Sequence, residues 1–223
     1  MRSFPTRRHL ITAAALGSLT LLLLVVGAAA RPLVWPEKPA PTPVLNATEI
    51  GFAQDMFAHH QQALILAQRL DPAADPTVRR LAQQIADNQR IEVGILLGWL
   101  RLAGATPTDP HPMAWMHAAG GTASASPHQH SAPTSTAADP GAATTMPGMA
   151  SLAELDALSA ARGRDAEILF LQLMQRHHRG GVSMAQAADA LLTAGQVKLA
   201  ARDMVSTQSQ EIGLIGMLLS QRA

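Results

Sequence analysis

An internal repeat is the feature that most constrains this chain. The motif Met-x-x-His-His occurs at Met56–His60 and again at Met174–His178. A second motif, Gln-x-x-Glu, occurs at Gln89–Glu92 and again at Gln208–Glu211. The first motif recurs at an offset of 118 residues and the second at an offset of 119. Such self-similarity predicts one supersecondary unit that the fold contains twice.

Apolar periodicity and capping signals predict that this unit is a helical hairpin. Apolar residues follow each motif at steps of three and four residues, as on one face of a helix. Asn46 with Glu49 forms a capping box, Asp75 precedes Pro76, and Ser151 opens a short extra helix. The long helices are predicted over about 47–70, 76–103, 164–192 and 196–221.

Two such hairpins can bury their apolar stripes only against each other. The predicted fold is therefore all-α, a four-helix bundle made from two repeated helical hairpins. Residues 104–150 are rich in Pro, Gly, Ala, Ser and Thr, which predicts a long disordered crossover between the hairpins.

The N-terminal residues predict export from the cytoplasm. Arg7 and Arg8 precede an uncharged stretch that ends in the small residues Ala28–Ala30. A cleaved signal peptide and a retained membrane anchor both fit this stretch, and either leaves the remaining chain periplasmic or extracellular. The predicted organisation is a signal peptide or anchor (1–30), a proline-rich spacer (31–45) and the bundle (46–223), with repeats at 46–103 and 151–223.

Composition excludes several classes of function. The chain has 17 Lys and Arg against 16 Asp and Glu, which gives no basic surface of the size that nucleic acid requires. Cysteine is absent, so thiolate metal sites and thiol catalysis are excluded. A metal ion would have to be bound by His, Met, Asp, Glu or backbone oxygen. The sequence contains no dedicated nucleophile, cofactor loop or redox motif, which makes a metal-dependent oxidoreductase the least favoured function.

Polar residues interrupt the predicted buried stripes. His60 and His178 fall on the stripe of the first helix of each repeat, and Glu92 and Glu211 fall on the stripe of the second. A buried carboxylate needs a partner, and the histidines of the facing helix are nearest in depth. Each His–Glu pair then either sets the register of its hairpin or belongs to a metal site. The adjacent histidines with methionine at i−3, found twice, favour metal. The candidate ligands are Met56, His59, His60, Glu92, Met174, His177, His178 and Glu211.

Thioether sulfur together with imidazole indicates a soft ion, Cu(I), or Ag(I) by analogy. The crossover carries a second set of such residues, and a disordered segment gives methionine no packing role. One interpretation is a flexible arm that captures metal, with Trp115 covering the cation; the other is an accident of composition. The candidates in the crossover are Met113, Met116, His117, His128, His130, Met146 and Met149.

The stretch Phe52–Ala63, with Gln89-x-x-Glu92, resembles the signature of the ferritin-like family catalogued as domain of unknown function 305. The resemblance extends to periplasmic copper-binding proteins of the CopM type, which also bind silver. It implies a non-enzymatic, extracytoplasmic Cu(I)- and Ag(I)-binding protein for copper homeostasis or resistance. The ligands it implies are Met56, His59, His60, Met174, His177 and His178. An interaction module with buried His–Glu pairs and no metal is the alternative.

The second repeat departs from this signature. Arg179-Gly180-Gly181 stands where the first repeat has Gln61-Gln62-Ala63. Two glycines inside a helix cost about 1 kcal/mol each relative to alanine, so a bend is predicted there. The first repeat is expected to hold the better site.

Overall fold

The computed structural model describes residues 16–28, 43–118 and 146–222. All regular elements within these ranges are helices, which confirms the all-α class. The chain divides into two compact units, Met1–Thr42 and Pro43–Ala223. The first unit contains helix α1, over residues 16–28. None of the helices in the described ranges is long and apolar enough to span a membrane.

The second unit contains four long helices and two short ones. The capping boxes predicted at Asn46 and Ser151 are both present, and the Asp75 side chain accepts from the backbone N–H of Thr77. The long helices also begin and end close to where the sequence predicts. The helices are α2 (Ala47–Arg69), α3 (Pro76–Leu102), α4 (Trp115–Ala118), α5 (Leu152–Ala160), α6 (Gly163–Leu191) and α7 (Gln196–Ser220).

The four long helices form a bundle in which α2 packs on α3, α6 packs on α7, and α2 packs on α6. Its apolar core consists of two separate clusters. Cluster 1 combines the C-terminal half of α2 with the N-terminal half of α6, and cluster 2 combines the opposite halves. The helices α2 and α6 therefore run antiparallel. Fully buried members of cluster 1 include Leu66, Ile85, Phe170 and Met174, and those of cluster 2 include Phe52, Met56, Leu96 and Met184.

A polar layer separates the two clusters. In each long helix it lies between the stretch assigned to cluster 1 and the stretch assigned to cluster 2. All of its members except Glu92 are buried. The layer consists of His59, His60, Gln89, Glu92, His177, His178, Gln208 and Glu211.

Both described ends of the crossover pack on the bundle. The Asp55 carboxylate accepts from the backbone N–H of Met113 and from Trp115 Nε1, at 2.7 and 2.8 Å. The Trp115 ring meets Phe52 edge-on, with 5.5 Å between ring centroids. The prediction that methionines in the crossover have no packing role is therefore wrong for Met113, Met116 and Met146, which pack against cluster 2. Trp115 is itself buried, 4 % exposed, and its role of covering a cation stays a prediction.

The other end of the crossover is the return turn, residues 146–150, which lies directly on α6. A Cβ atom on Gly180 would overlap the carbonyl oxygen of Pro147, and one on Gly148 would overlap that of Arg176. Gly148 also has φ +79°, a conformation that favours glycine. The helix α6 continues through Gly180 and Gly181. Because these residues have no side chain, Pro147 and the Gln208 side chain can lie close to the helix backbone there.

Candidate metal centre

The centre of the polar layer is formed by four histidines at the crossing of α2 and α6. The side chains of His59, His60, His177 and His178 are all 0 % exposed. Because His59 and His60 are adjacent on a helix, their rings leave its axis about 100° apart and meet different neighbours. His59 faces the equivalent His177, with 3.8 Å between ring centroids and 31° between ring planes.

Each of the four rings uses its Nε2 atom for a hydrogen bond. His60 Nε2 lies 2.6 Å from a carboxylate oxygen of Glu92, and His178 Nε2 lies 2.7 Å from one of Glu211. These are the two His–Glu contacts expected from depth along the hairpins. His59 Nε2 bonds the carbonyl oxygen of Pro147 at 3.1 Å, and His177 Nε2 bonds that of His59 at 2.9 Å.

These partners determine which ring nitrogen carries the proton. A carbonyl or carboxylate oxygen can only accept, so Nε2–H donates in all four rings, and in a neutral ring Nδ1 is left with a free lone pair. Within the described part of the chain, none of the four buried Nδ1 atoms has a hydrogen-bond partner. The four histidines therefore present unused nitrogen lone pairs inside the bundle.

The glutamines of the layer have unused polar atoms as well. Among the described residues, Gln89 Oε1 and both polar atoms of the Gln208 amide are buried without a partner. An unpaired buried polar atom costs about 1–3 kcal/mol, and native interiors contain few of them. Their concentration in one layer indicates a place that interacts with something other than the protein's own side chains.

Burial keeps the two stacked histidines neutral. The pKa of His59 is lowered to about 3, mainly by desolvation and next by the electrostatic effect of His60. Desolvation also lowers the pKa of His177 well below its usual value, with His59 as the next cause. Both imidazoles are thus in the form that can bind a metal ion without first losing a proton.

The chemistry of these donors fits a soft metal ion, whereas their present geometry does not form a closed site. Imidazole nitrogen suits Cu(I), and Met56 and Met174 lie fully buried one turn before the histidines. Among the described residues, no group of three or more His, Asp or Glu is arranged to hold a metal ion. Lone pairs lie in the ring plane, so the stacked His59 and His177 could share an ion only after at least one ring turns.

The two repeats differ in how deeply they bury the carboxylate. The Glu211 side chain is 3 % exposed and also accepts from Asn88 Nδ2 at 2.9 Å, whereas the Glu92 side chain is 18 % exposed. A Cβ atom at Gly181 would overlap the Gln208 amide, so glycine is needed for that side chain to enter the layer. The sequence favours the first repeat as the better site, yet the second repeat is the more enclosed.

The structure does not gather the crossover candidates into one group. Met113 and Met116 lie near Asp55 and Trp115, at the end of the crossover that follows α3. Met146 and Met149 lie in the return turn, on either side of Pro147–Gly148, and the Pro147 carbonyl contacts His59. His128 and His130 fall outside the described residues.

Sequence reasoning missed the backbone partners of the layer. The Pro147 carbonyl holds His59, and Gln62 forms a reciprocal pair with the backbone of Ala150, at 2.9 and 2.6 Å. The available signal was Gly180 inside an otherwise regular helix, since such a glycine can mark close approach of another backbone as well as a bend.

Residues 49–219 match the family described as Domain of unknown function (DUF305). This match covers most of the chain, including all four long helices and both motifs. The chain belongs to the DUF305 family. No curated protein matches this DUF305 chain significantly.

Solved structures with the same fold include further DUF305 proteins. One, from Streptomyces coelicolor and inferred to be secreted, is 37 % identical, covers 78 % of this chain and 92 % of its own, and has a TM-score of 0.64. A DUF305 fragment from Deinococcus radiodurans is 32 % identical, covers 79 % of this chain and 97 % of its own, and has a TM-score of 0.60. CopM in its Cu(I)-bound form is 21 % identical and has a TM-score of 0.54; the match covers 79 % of this chain and 98 % of the CopM chain. At this identity, the likeness to CopM shows the fold alone.

The depressed histidine pKa values predict that acid destabilises the metal-free protein. The unfolded chain takes up protons near pH 6.5 at His59 and His177, while the folded chain does not until the pH is far lower. Stability due to these residues is thus complete above about pH 7 and falls as the pH drops. Two such histidines predict a loss of about 2–3 kcal/mol between pH 7 and 5.5, measured by urea unfolding. A His59→Gln/His177→Gln protein should lose less, and equal losses would contradict this origin.

Proposed function

We propose that this protein binds copper as Cu(I), and Ag(I) by the same chemistry, in the polar layer of its bundle. The observation that carries the proposal is the state of the four buried histidines. Every Nε2 is engaged by an oxygen acceptor, and every Nδ1 is without a partner among the described residues. Histidine ligands of metal ions show the same division, with one nitrogen on the metal and the other held by a carboxylate or carbonyl.

The nature of the neighbouring side chains favours a soft ion. Met56 and Met174 are the thioethers that each repeat places one turn before its histidines, and both are fully buried. Hard cations prefer oxygen ligands, while Cu(I) accepts thioether and imidazole together. Glu92 and Glu211 then act by orienting His60 and His178, because their carboxylates occupy the Nε2 side of those rings.

The comparison with CopM supports copper over other soft ions. CopM shares this fold and is known in Cu(I)-bound and Cu(II)-bound forms. We propose for this chain a non-catalytic role in copper homeostasis or resistance, in which it buffers, scavenges or passes on the ion.

An extracytoplasmic location fits this role. Arg7 and Arg8 precede the uncharged stretch 9–30, and the Streptomyces relative is inferred to be secreted. Cell fractionation tests the location, and recovery of the protein only from the cytoplasm would contradict it.

The second candidate is a structural role, in which the His–Glu pairs fix the register of the two hairpins. The short contacts at Glu92 and Glu211 favour it, since they account for two of the four Nε2 atoms without any metal. It does not account for the four unpartnered Nδ1 atoms, whose burial costs stability and serves no register.

Cu(I) titration against a competing chelator tests the proposal. The intact protein should bind at least one Cu(I), and His59→Ala/His60→Ala should weaken binding by about 100-fold or more, because two nitrogen ligands are lost. Met56→Leu conserves side-chain volume, so it should keep the fold while weakening binding about tenfold.

Met184→Leu is the matched control, because Met184 is as buried as Met56 and belongs to the same apolar cluster but lies outside both Met-x-x-His-His motifs. It should bind Cu(I) like the parent protein. Stoichiometry below one, or folded variants of His59, His60 and Met56 that all bind normally, would leave the structural role as the better account.

A further inference from the structure

Within the described part of the chain, the four histidines of the proposed copper layer are closed off from solvent. All four histidines are 0 % exposed, and the layer lies between two apolar clusters. An ion can reach an Nδ1 atom only if some part of the surrounding chain moves. On the basis of the proposed function, we ask which segment of the chain moves and which atoms first receive the ion.

Among the described residues, the return turn is the non-helical segment that has a hydrogen bond with one of the four histidines. Its Pro147 carbonyl accepts from His59, and it sits against α6 at Gly180. The long helices pack on one another through the apolar clusters, so parting them would disturb the whole bundle. The turn is joined to the bundle by the hydrogen bonds of His59 with Pro147, Gln62 with Ala150, and Arg176 with Met149. Met146 also packs on cluster 2, and Ala150 belongs to cluster 1. Local opening of such a segment costs less than opening the core.

A surface pocket lies over this turn, and two methionines are among the residues that line it. It has a volume of about 470 Å³ and is lined by residues 146–151 together with Glu154 and Arg176. Met146 and Met149 are both partly exposed, and they flank Pro147–Gly148. Met149 belongs to neither apolar cluster, so packing in the core does not explain this methionine.

The charges at this pocket are already balanced. The two terminal guanidinium nitrogens of Arg176, Nη1 and Nη2, each donate to the Glu154 carboxylate at 2.7 Å. This pairing is the main cause that lowers the pKa of Glu154 to about 2. A carboxylate paired in this way has little capacity left for a hard cation. The soft ligand atoms that remain among the lining residues are the thioether sulfurs of Met146 and Met149, which prefer a soft monovalent ion.

We propose that Met146 and Met149 form a capture site for Cu(I) or Ag(I), from which the ion passes to His59 when the return turn lifts. Lifting the turn breaks the bond between His59 and the Pro147 carbonyl and frees the ring to rotate. The ion then exchanges thioether ligands for Nδ1 of His59. No electron moves, and no proton must leave, because Nδ1 of the neutral ring already carries a lone pair.

Transfer kinetics test this site on the full chain. Cu(I) is presented as a complex with a chromogenic chelator, and the chelator's absorbance reports transfer to the protein. Met146→Leu/Met149→Leu should slow transfer at least about tenfold, whereas its equilibrium affinity should change by less than about threefold, since the layer is untouched. Met184→Leu should transfer at the parent rate. An unchanged rate in the double variant would overturn the capture site while leaving the layer in place.

Methyl NMR of the methionines gives a second measurement that does not depend on the layer. Substoichiometric Ag(I) should shift the ε-methyl signals of Met146 and Met149, both in the parent protein and in His59→Ala/His60→Ala. If those two signals stay in place in both proteins, the capture site is wrong. If they shift while the equilibrium affinity of the histidine variant equals that of the parent, the capture site stands and the proposed function of the layer fails.

Discussion

Gly180→Ala should lower the free energy of unfolding by about 2–3 kcal/mol, although alanine is the better helix former. The added methyl group would occupy the position of the Pro147 carbonyl oxygen. The obstacle is backbone, so no side-chain rotation relieves it, and the return turn must move off α6. That movement breaks the hydrogen bond from His59 and strains the pairing of Gln62 with Ala150.

Gly94→Ala is the matched control for this substitution. Gly94 also lies inside a long helix, and an added Cβ atom there would meet nothing within 4 Å. This variant should be as stable as the parent or gain up to about 1 kcal/mol from helix propensity. Urea unfolding measures both variants, and hydrogen exchange at the Ala150 amide reports the turn itself. Equal stability of the two variants would show that the turn does not hold the position described here.

Glu211→Ala should be the more damaging of two equivalent substitutions, with a loss of about 3 kcal/mol. The Glu211 carboxylate accepts from both His178 and Asn88, and its side chain is 3 % exposed. Its removal leaves two donors without an acceptor in a place that water cannot easily reach. Glu92→Ala leaves only one donor, His60, without its acceptor. The Glu92 side chain is also 18 % exposed, so this substitution should cost about 1 kcal/mol.

The comparison is internally controlled, because the repeat relates the two glutamates. Chemical unfolding of the metal-free proteins gives the two losses. Glu211→Gln keeps the side-chain shape and one acceptor oxygen, which can accept from only one of the two donors, so it should recover part of the stability. Similar losses for Glu92→Ala and Glu211→Ala would mean that the deeper burial of the carboxylate in the second repeat does not affect the free energy of unfolding.

The positions of the helices were predictable because helix signals are local. Capping at Asn46, Asp75 and Ser151 acts over three residues, and apolar periodicity acts over one or two turns. The contacts of His60 with Glu92 and of His178 with Glu211 were also predictable. Within a short antiparallel hairpin, distance from the turn fixes which residues face each other, and a buried carboxylate has few other partners.

The glycine pair shows where local reasoning fails. From the sequence, Gly180 and Gly181 predict a bend and a weaker second site, since glycine disfavours helix. In the fold, Gly180 makes room for Pro147 and Gly181 makes room for Gln208. Pro147 and Gln208 are each about thirty residues away from these glycines along the chain. The residues within one helical turn of Gly180 therefore do not predict that these neighbours lie close.

The sequence by itself determined an all-helical chain, two related hairpins and a polar residue set at the middle of each, because these follow from spacing along single helices. The tertiary structure alone decided that α2 and α6 cross with His59 stacked on His177, and that the Pro147 carbonyl orients His59. It also decided which repeat encloses its carboxylate more fully. The reason is that the rotation and separation of packed helices depend on how two surfaces fit. Residues far apart in the chain contribute to that fit, and no repeat or periodicity encodes it.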